Sequence, residues 1–279
     1  MADFQVLTTR AEGAVLFAVI DSPPINLIGP ALVSDLVSLI ELLDHGEPYR
    51  VVVFSSANRD FFIPHVDLTK VSEYRQAAAK LTGEPSLSLL LRRLSETKAI
   101  TIAQIAGRVR GAGSEFVLAC DMRFASRERA IFGQLEAGFG LVPGAGGIQH
   151  LARLMGRGRA FEVIASGDDY DADVAERYGW INRAVPDVEL EPFVARLARR
   201  IATFPQDGLV AIKQRINAIT LASEDDFRRD SDLFAERAGT LEVQQRTRVM
   251  FDRGLQQPGD TELNMGRALG DLDMVSPTA

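Results

Sequence analysis

Apolar positions along this chain alternate between strand-like runs and helical spacing. The opening reads as two strands, Phe4 to Arg10 and Ala14 to Ile20, split by Glu12-Gly13. Pro30 suits the first turn of a helix. Leu32, Leu36, Leu39 and Leu43 then form a helical stripe flanked by Val33, Val37 and Ile40. Arg50 to Ser55 (RVVVFS) predicts a strand, and a loop and polar stretch follow to about Pro85. Leu87, Leu90, Leu91 and Leu94 predict the next helix. Ala99 to Ala106 (AITIAQIA) reads as a strand ending at Gly107. A short apolar helix holding Glu115 comes next, then a strand over Met122 to Ala125.

Beyond Gly147 the pattern is helical, with one more strand near Trp180 to Val185. From Glu189 onward only helices are expected. Their stripes are Leu190, Val194, Leu197 and Ile201, then Leu209, Ile212, Ile216 and Ile219. The last dozen or so residues are expected to be weakly ordered. No exact internal repeat is visible. The pattern implies an α/β class, with β and α elements mixed over residues 1–188 and a helical segment over 189–279.

Composition narrows the function. The net charge of −7, without a dense Lys/Arg run, argues against nucleic-acid binding. No apolar stretch approaches the roughly 20 residues of a membrane span, and MADFQVLTTR lacks a signal-peptide pattern. A single cysteine, Cys120, allows no intrachain disulfide. A cytoplasmic protein is expected.

Candidate chemistry centres on two acids. Glu115 follows the small-residue turn Gly111-Ala112-Gly113, where backbone N–H groups can approach a ligand. Alone, an acid in a helix's first turn is accounted for by the helix dipole. Glu136, in FGQLEAGFGLVPGAGG, would alone be a solvated loop residue. Together they suggest one cleft in which two carboxylates position a water or move a proton. Other groups carry less. Gly144-Ala145-Gly146-Gly147 lacks the Lys-Ser/Thr of a phosphate loop. Ser114 with His65 and an aspartate could be imagined as a triad, but GAGSEF is not a nucleophile elbow. Cys120 reads as a core thiol, His45 as a helix C-terminal residue, and His150 as a packed one. Three scattered histidines and one cysteine argue against zinc.

Five ordered segments together resemble the enoyl-CoA hydratase/isomerase family, the crotonases. PPINLI resembles P-x-x-N-x-L, and FIPHVDL resembles F-x-A-G-x-D-L. AGRVRGAGSEFVLACDMRFAS resembles N-G-x-x-x-G-G-G-x-E-x-x-x-x-C-D-x-x-x-A. FGQLEAGFGLVPGAGGIQHL resembles F-G-x-P-E-x-x-x-G-x-x-P-G-x-G-G-x-Q-x-L. ADVAERYGWINRAVP resembles A-x-x-A-x-x-x-G-L-V-x-x-V-x-P. The resemblance implies a spiral of ββα units with C-terminal helices that assemble trimers, often paired into hexamers. It implies an acyl-CoA thioester substrate and no metal or redox cofactor. Two backbone N–H groups would polarise the thioester carbonyl, and Glu115 and Glu136 would hold water, deprotonate it and protonate the α carbon.

By the same resemblance, Ala112, Pro64, His65, Val66 and Asp67 fall at the oxyanion and substrate-binding positions. Three departures from the family pattern matter most: Ala112 replaces a glycine, Leu135 replaces a proline, and Pro64 replaces an alanine; beside Pro64, His65 replaces a glycine. Proline has no N–H to donate, and losing one oxyanion donor costs on the order of 3 kcal/mol. Either the loop shifts so that His65 supplies a donor, from its backbone or imidazole, or the activity is weak; a partly exposed loop histidine is the plain alternative. The leading expectation is addition of water to a 2,3-enoyl-CoA. Isomerisation, acyl-CoA or β-diketone hydrolysis, or non-catalytic CoA binding are the alternatives. Side chains near residues 68–96, Phe139 and Trp180 are expected at the acyl pocket, with Lys213 as a candidate CoA phosphate contact.

Overall fold

Val51, Val52, Val53 and Phe54 present no polar face, so their strand belongs in the interior of a sheet covered on both sides. The computed structural model describes residues 4–45 and 49–272 and places that strand there. The chain opens with β1 (Leu7–Glu12), β2 (Val15–Ile20), α1 (Pro30–His45), β3 (Val51–Ser56) and β4 (Phe61–Ile63). It continues through α2 (Val71–Thr82), α3 (Leu87–Glu96), β5 (Ile100–Ile105), β6 (Arg108–Arg110), α4 (Ala112–Ala119) and β7 (Met122–Ser126). Then follow β8 (Ile131–Gly133), α5 (Glu136–Phe139), α6 (Gly147–Ser166), β9 (Tyr170–Asp171), α7 (Ala172–Tyr178) and β10 (Arg183–Val185). The remaining elements are α8 (Asp187–Ala202), α9 (Gln206–Thr220), α10 (Glu224–Ala238), α11 (Leu241–Asp252), α12 (Asp260–Leu263) and α13 (Met265–Gly270).

Six strands form one sheet in the order β1-β2-β3-β5-β7-β10, and four form a second, β4-β6-β8-β9. The β1–β2 hairpin and the β8–β9 pair are antiparallel, and the other pairings are parallel. Each of β3, β5 and β7 enters the larger sheet, the next strand enters the smaller one, and helix follows. This is the expected ββα spiral. Its repetition is one of path, carried by unrelated residues, so no repeat shows in the sequence.

Several boundaries differ from the hydrophobic pattern for identifiable reasons. Pairing in β1 starts at Leu7, and the chain at this point is tied to α1 by the N–H groups of Gln5, Val6 and Leu7, which donate to the buried carboxylate of Asp35. The polar stretch before Pro85 contains β4 and α2. β4 has only three residues, while α2 buries Tyr74, Ala77 and Ala78 rather than a stripe of large side chains. The α9 stripe has helical spacing, but Ile212, Ile216 and Ile219 are exposed and α9 buries only Lys213. At the C-terminus, Leu269 and Leu272 pack with Leu135 and Phe139, so the chain is anchored through residue 272. The rest of the segment expected to be weakly ordered lies outside the described residues.

The two layers meet closely at α4. A Cβ on Gly113 would lie 2.0 Å from the carbonyl oxygen of Ile63, so only glycine lets α4 settle against the end of β4. A Cβ on Gly144 would lie 2.5 Å from the Cβ of Phe234, which brings α10 onto the turn preceding α6. Gly113→Ala is expected to reduce unfolding free energy by about 3 kcal/mol or more in urea titration, because backbone must move. An unchanged midpoint would show that β4 and α4 can separate without cost.

Candidate active site

Burying a carboxylate requires donors, and Glu115 has two. Ala145 N–H and Gly147 N–H donate to its Oε1 at 2.7 and 2.8 Å. The Gly144–Gly147 turn thus serves as an anion cradle for a side chain of the same protein. Glu115 is 2% exposed. Burial pushes its carboxyl up to about 8, with the nearby Glu136 charge adding to the effect and the two N–H bonds opposing it.

Glu136 opens α5, and Gln134 Nε2 donates to its Oε2 at 3.0 Å. Burial pushes this acid up to about 7, against its own backbone N–H, the Gln134 bond and the charge of His65. Gln134 is also close to Glu115. The position of a Cβ on Gly147 is 3.1 Å from Glu115 Oε1 and 3.2 Å from Gln134 Cδ.

Both glutamates line one cavity that opens to solvent at its mouth. Its walls are mostly apolar, with Leu68, Leu87, Leu135 and Phe139 among them. Ala112 also lines it, at the first position of α4, where helix N–H groups have no acceptor within the helix. Its geometry suits a ligand with an apolar arm and a polar group between two acids and a helix N-terminus.

The 62–68 loop forms the adjacent wall, but only partly with the residues expected there. His65 and Val66 line the cavity; Pro64 is buried behind it, and Asp67 closes a local turn by accepting from Thr69 N–H at 2.9 Å. His65 is not a partly exposed loop residue. It is 8% exposed, and both ring nitrogens are engaged, Nδ1 with the Val66 carbonyl at 2.8 Å and Nε2 with Glu262 Oε1 at 2.9 Å. The imidazole therefore has no free donor for a ligand.

Other expected residues lie elsewhere. Trp180 is fully buried and donates to Ser114 Oγ at 3.2 Å, so neither belongs to the cavity and no serine triad forms. Lys213 is held by Asp121 and the Ala99 carbonyl, both at 2.8 Å, which makes it an interior ion pair rather than a free phosphate contact. His150 packs edge-on to Phe227, and burial pushes its imidazole down to about 3, so it is neutral. Cys120 is a buried thiol. Among the described residues, no group of three or more His, Cys, Asp or Glu side chains could hold a metal.

Tyr74 falls within residues 68–96, expected at the pocket, although its helix α2 was not predicted. Residues from the later helices escaped the sequence. Ser231 and Phe234 reach the cavity from α10, and Glu262 reaches His65 from α12. Only their contacts across the fold reveal them, since no local spacing marks them.

The sequence model of one family, enoyl-CoA hydratase/isomerase, matches residues 10–256. The chain is 30% identical to a short-chain-enoyl-CoA hydratase of Clostridium acetobutylicum, covering 74% of this chain and 78% of the relative. It is also 30% identical to 2,3-dehydroadipyl-CoA hydratase of Escherichia coli (strain K12), covering 76% and 81%. A candidate enoyl-CoA hydratase from Streptomyces avermitilis has a solved structure that matches with a TM-score of 0.97. That pair is 55% identical and covers 98% of this chain and 99% of the other.

The acid pair has a measurable effect on stability. Both folded values, about 7 and about 8, lie above the ordinary carboxyl value of 4.5. The stability linked to these groups is therefore complete below about pH 4.5 and is lost as pH rises through 7 and 8. Glu115→Gln keeps an acceptor for the two N–H groups and removes that charge. Thermal melts should show this variant stabilised over wild type by about 2–4 kcal/mol at pH 8 and by little at pH 4.5. Equal differences at both pH values would contradict a raised carboxyl.

Proposed function

This chain belongs to the enoyl-CoA hydratase/isomerase family and is an enzyme of that type, and we propose that Glu115 and Glu136 are the acids with which it hydrates a 2,3-enoyl-CoA thioester. The observation that carries this proposal is that two buried carboxyls, both pushed upward by burial, face one mostly apolar cavity beside a helix N-terminus. A pair coupled in this way holds one proton between its members over much of the neutral range.

The charged member takes a proton from water as the water oxygen bonds to C3 of the enoyl group. The C2–C3 π electrons move toward the thioester and place negative charge on its oxygen. The neutral member then delivers its proton to C2, and the shared proton has changed sides. Ala112 N–H, at the positive end of α4, supports the charge on the thioester oxygen. Protons move but no electrons are lost, so the reaction needs no redox group, and CoA enters as part of the substrate. The apolar walls suit an acyl chain and keep competing water away from the intermediate. The same enolate chemistry would also serve isomerisation or thioester hydrolysis, and product analysis distinguishes them.

Assembly into trimers or hexamers is part of this proposal, supported by Ile212, Ile216 and Ile219, which are 58%, 55% and 77% exposed along one helix. Its single buried thiol is consistent with a cytoplasmic setting. Among the described residues no helix is long and apolar enough to cross a membrane.

With a panel of 2,3-enoyl-CoA thioesters, loss of the conjugated chromophore and formation of 3-hydroxyacyl-CoA should accompany turnover. Glu115→Gln and Glu136→Gln should each lower kcat by about a hundredfold or more while folding normally. Rates equal to wild type in both variants would remove the mechanism. Light scattering should give three or six times the 30.5 kDa chain mass, with Ile216→Glu shifting the protein toward monomer. A wild-type monomer would contradict the assembly.

A further inference from the structure

His65 presents an unusual combination: a buried imidazole with a hydrogen-bond acceptor at each ring nitrogen. Nδ1 meets the Val66 carbonyl at 2.8 Å, and Nε2 meets Glu262 Oε1 at 2.9 Å. A neutral imidazole has one N–H and can satisfy only one of these acceptors. With Glu262 as a carboxylate, both bonds together require an imidazolium.

The partner is held through one oxygen, Oε1, while its Oε2 is buried without a hydrogen-bond partner. Glu262 is fully buried, and its Oε1 also accepts from Gln256 N–H at 2.6 Å. Gln256 Nε2 donates to the Val66 carbonyl at 3.3 Å, closing a ring of contacts around the 64–67 loop. Arg110 binds the Glu262 main-chain carbonyl at 2.8 Å and Asp169 at 2.6 Å, which fixes this end of the chain to β6. An unpaired charge this deep would be costly, whereas a hydrogen-bonded pair can be retained.

The pair also stands where charge matters. His65 lines the cavity with Ala112, Glu115 and Glu136. The position of a Cβ on Gly111 would lie 3.1 Å from Glu136 Oε1 and 3.7 Å from His65 Cβ. The residue before His65 is proline, so the loop lacks one backbone donor on this wall.

Resting on the hydration reading, we propose that the His65–Glu262 pair is a charge clamp. It fixes an imidazolium beside the α4 N-terminus, where it stabilises the negative charge that forms during turnover and offsets the donor missing at Pro64. His65 supplies the charge through space. Glu262 is a positioning residue that keeps the ring charged and the loop in place.

Three charged groups bear on His65: Glu262 from α12, Glu136 from α5 and Arg110 from β6. Burial pushes the imidazole down, but the Glu262 charge and hydrogen bond, with the Val66 carbonyl, outweigh burial and Arg110. The net shift is upward. Stability from the raised imidazole is complete below its unfolded value of about 6.5 and is lost as pH rises through the folded value.

The test has two arms. In the first, ¹⁵N-histidine NMR of the full chain at pH 7.5, assigned with His65→Gln, should show both His65 nitrogens protonated. Glu262→Gln should shift the His65 titration to lower pH. A neutral His65 at pH 7.5 in the wild-type protein would overturn the clamp, and this arm does not depend on turnover. In the second, with crotonyl-CoA, His65→Ala should lower kcat by about a hundredfold with KM within about threefold. Adding Pro64→Ala to that variant should recover about tenfold or more, because the N–H returns. A higher KM at unchanged kcat, or no recovery from the added N–H, would also overturn the clamp. A wild-type protein that cannot hydrate any enoyl-CoA would instead remove the hydration reading, and the NMR arm would still decide the charge.

Discussion

The two N–H bonds to Glu115 Oε1 govern the rest of the site. A carboxyl that is 2% exposed is tolerated here because Ala145 and Gly147 replace the water it has lost. To reach them it must leave the first turn of α4 toward the start of α6, so the loop joining β8 to α6 has to bend back over α4. That bend carries Glu136 to the same cavity and lets α10 close onto the turn at Gly144. Loss of water then raises both acids to the range where one can hold a proton while the other lacks it.

Much of this was legible in local pattern. Glu115 stood out as an acid inside an apolar helix, and Gly111-Ala112-Gly113 marked a close backbone approach, which the contact between Gly113 and Ile63 explains. Strands with uninterrupted β-branched runs and helices with leucine stripes were equally plain. What local pattern missed was made of small or distant residues. The α2 face rests on alanines, β4 is three residues long, and Glu262 meets His65 across a separation of 197 positions. Lys213, a candidate by its position on a late helix, is instead drawn inside by Asp121, far away in the chain.

The helices after residue 189 do more than follow the core. Ser231 and Phe234 form part of the cavity wall, and α12 supplies the carboxylate that holds His65. The α9 isoleucines remain uncovered in a single chain. One helical segment therefore combines a lining for the site, a support for the His65 loop and an exposed row of isoleucines. Pro64 acquires a physical context from the same arrangement, because the loop that lacks its donor also bears the buried ion pair.

The central claim is that burial makes Glu115 and Glu136 titrate as a pair near neutral pH. Carboxyl ¹³C NMR of glutamate-labelled protein, assigned with single Gln variants and followed from pH 4 to 9, measures this directly. The account predicts that both resonances move between about pH 6 and 9, and that removing either acid changes the titration of the other. Two independent titrations near the ordinary value of about 4.3 would contradict it.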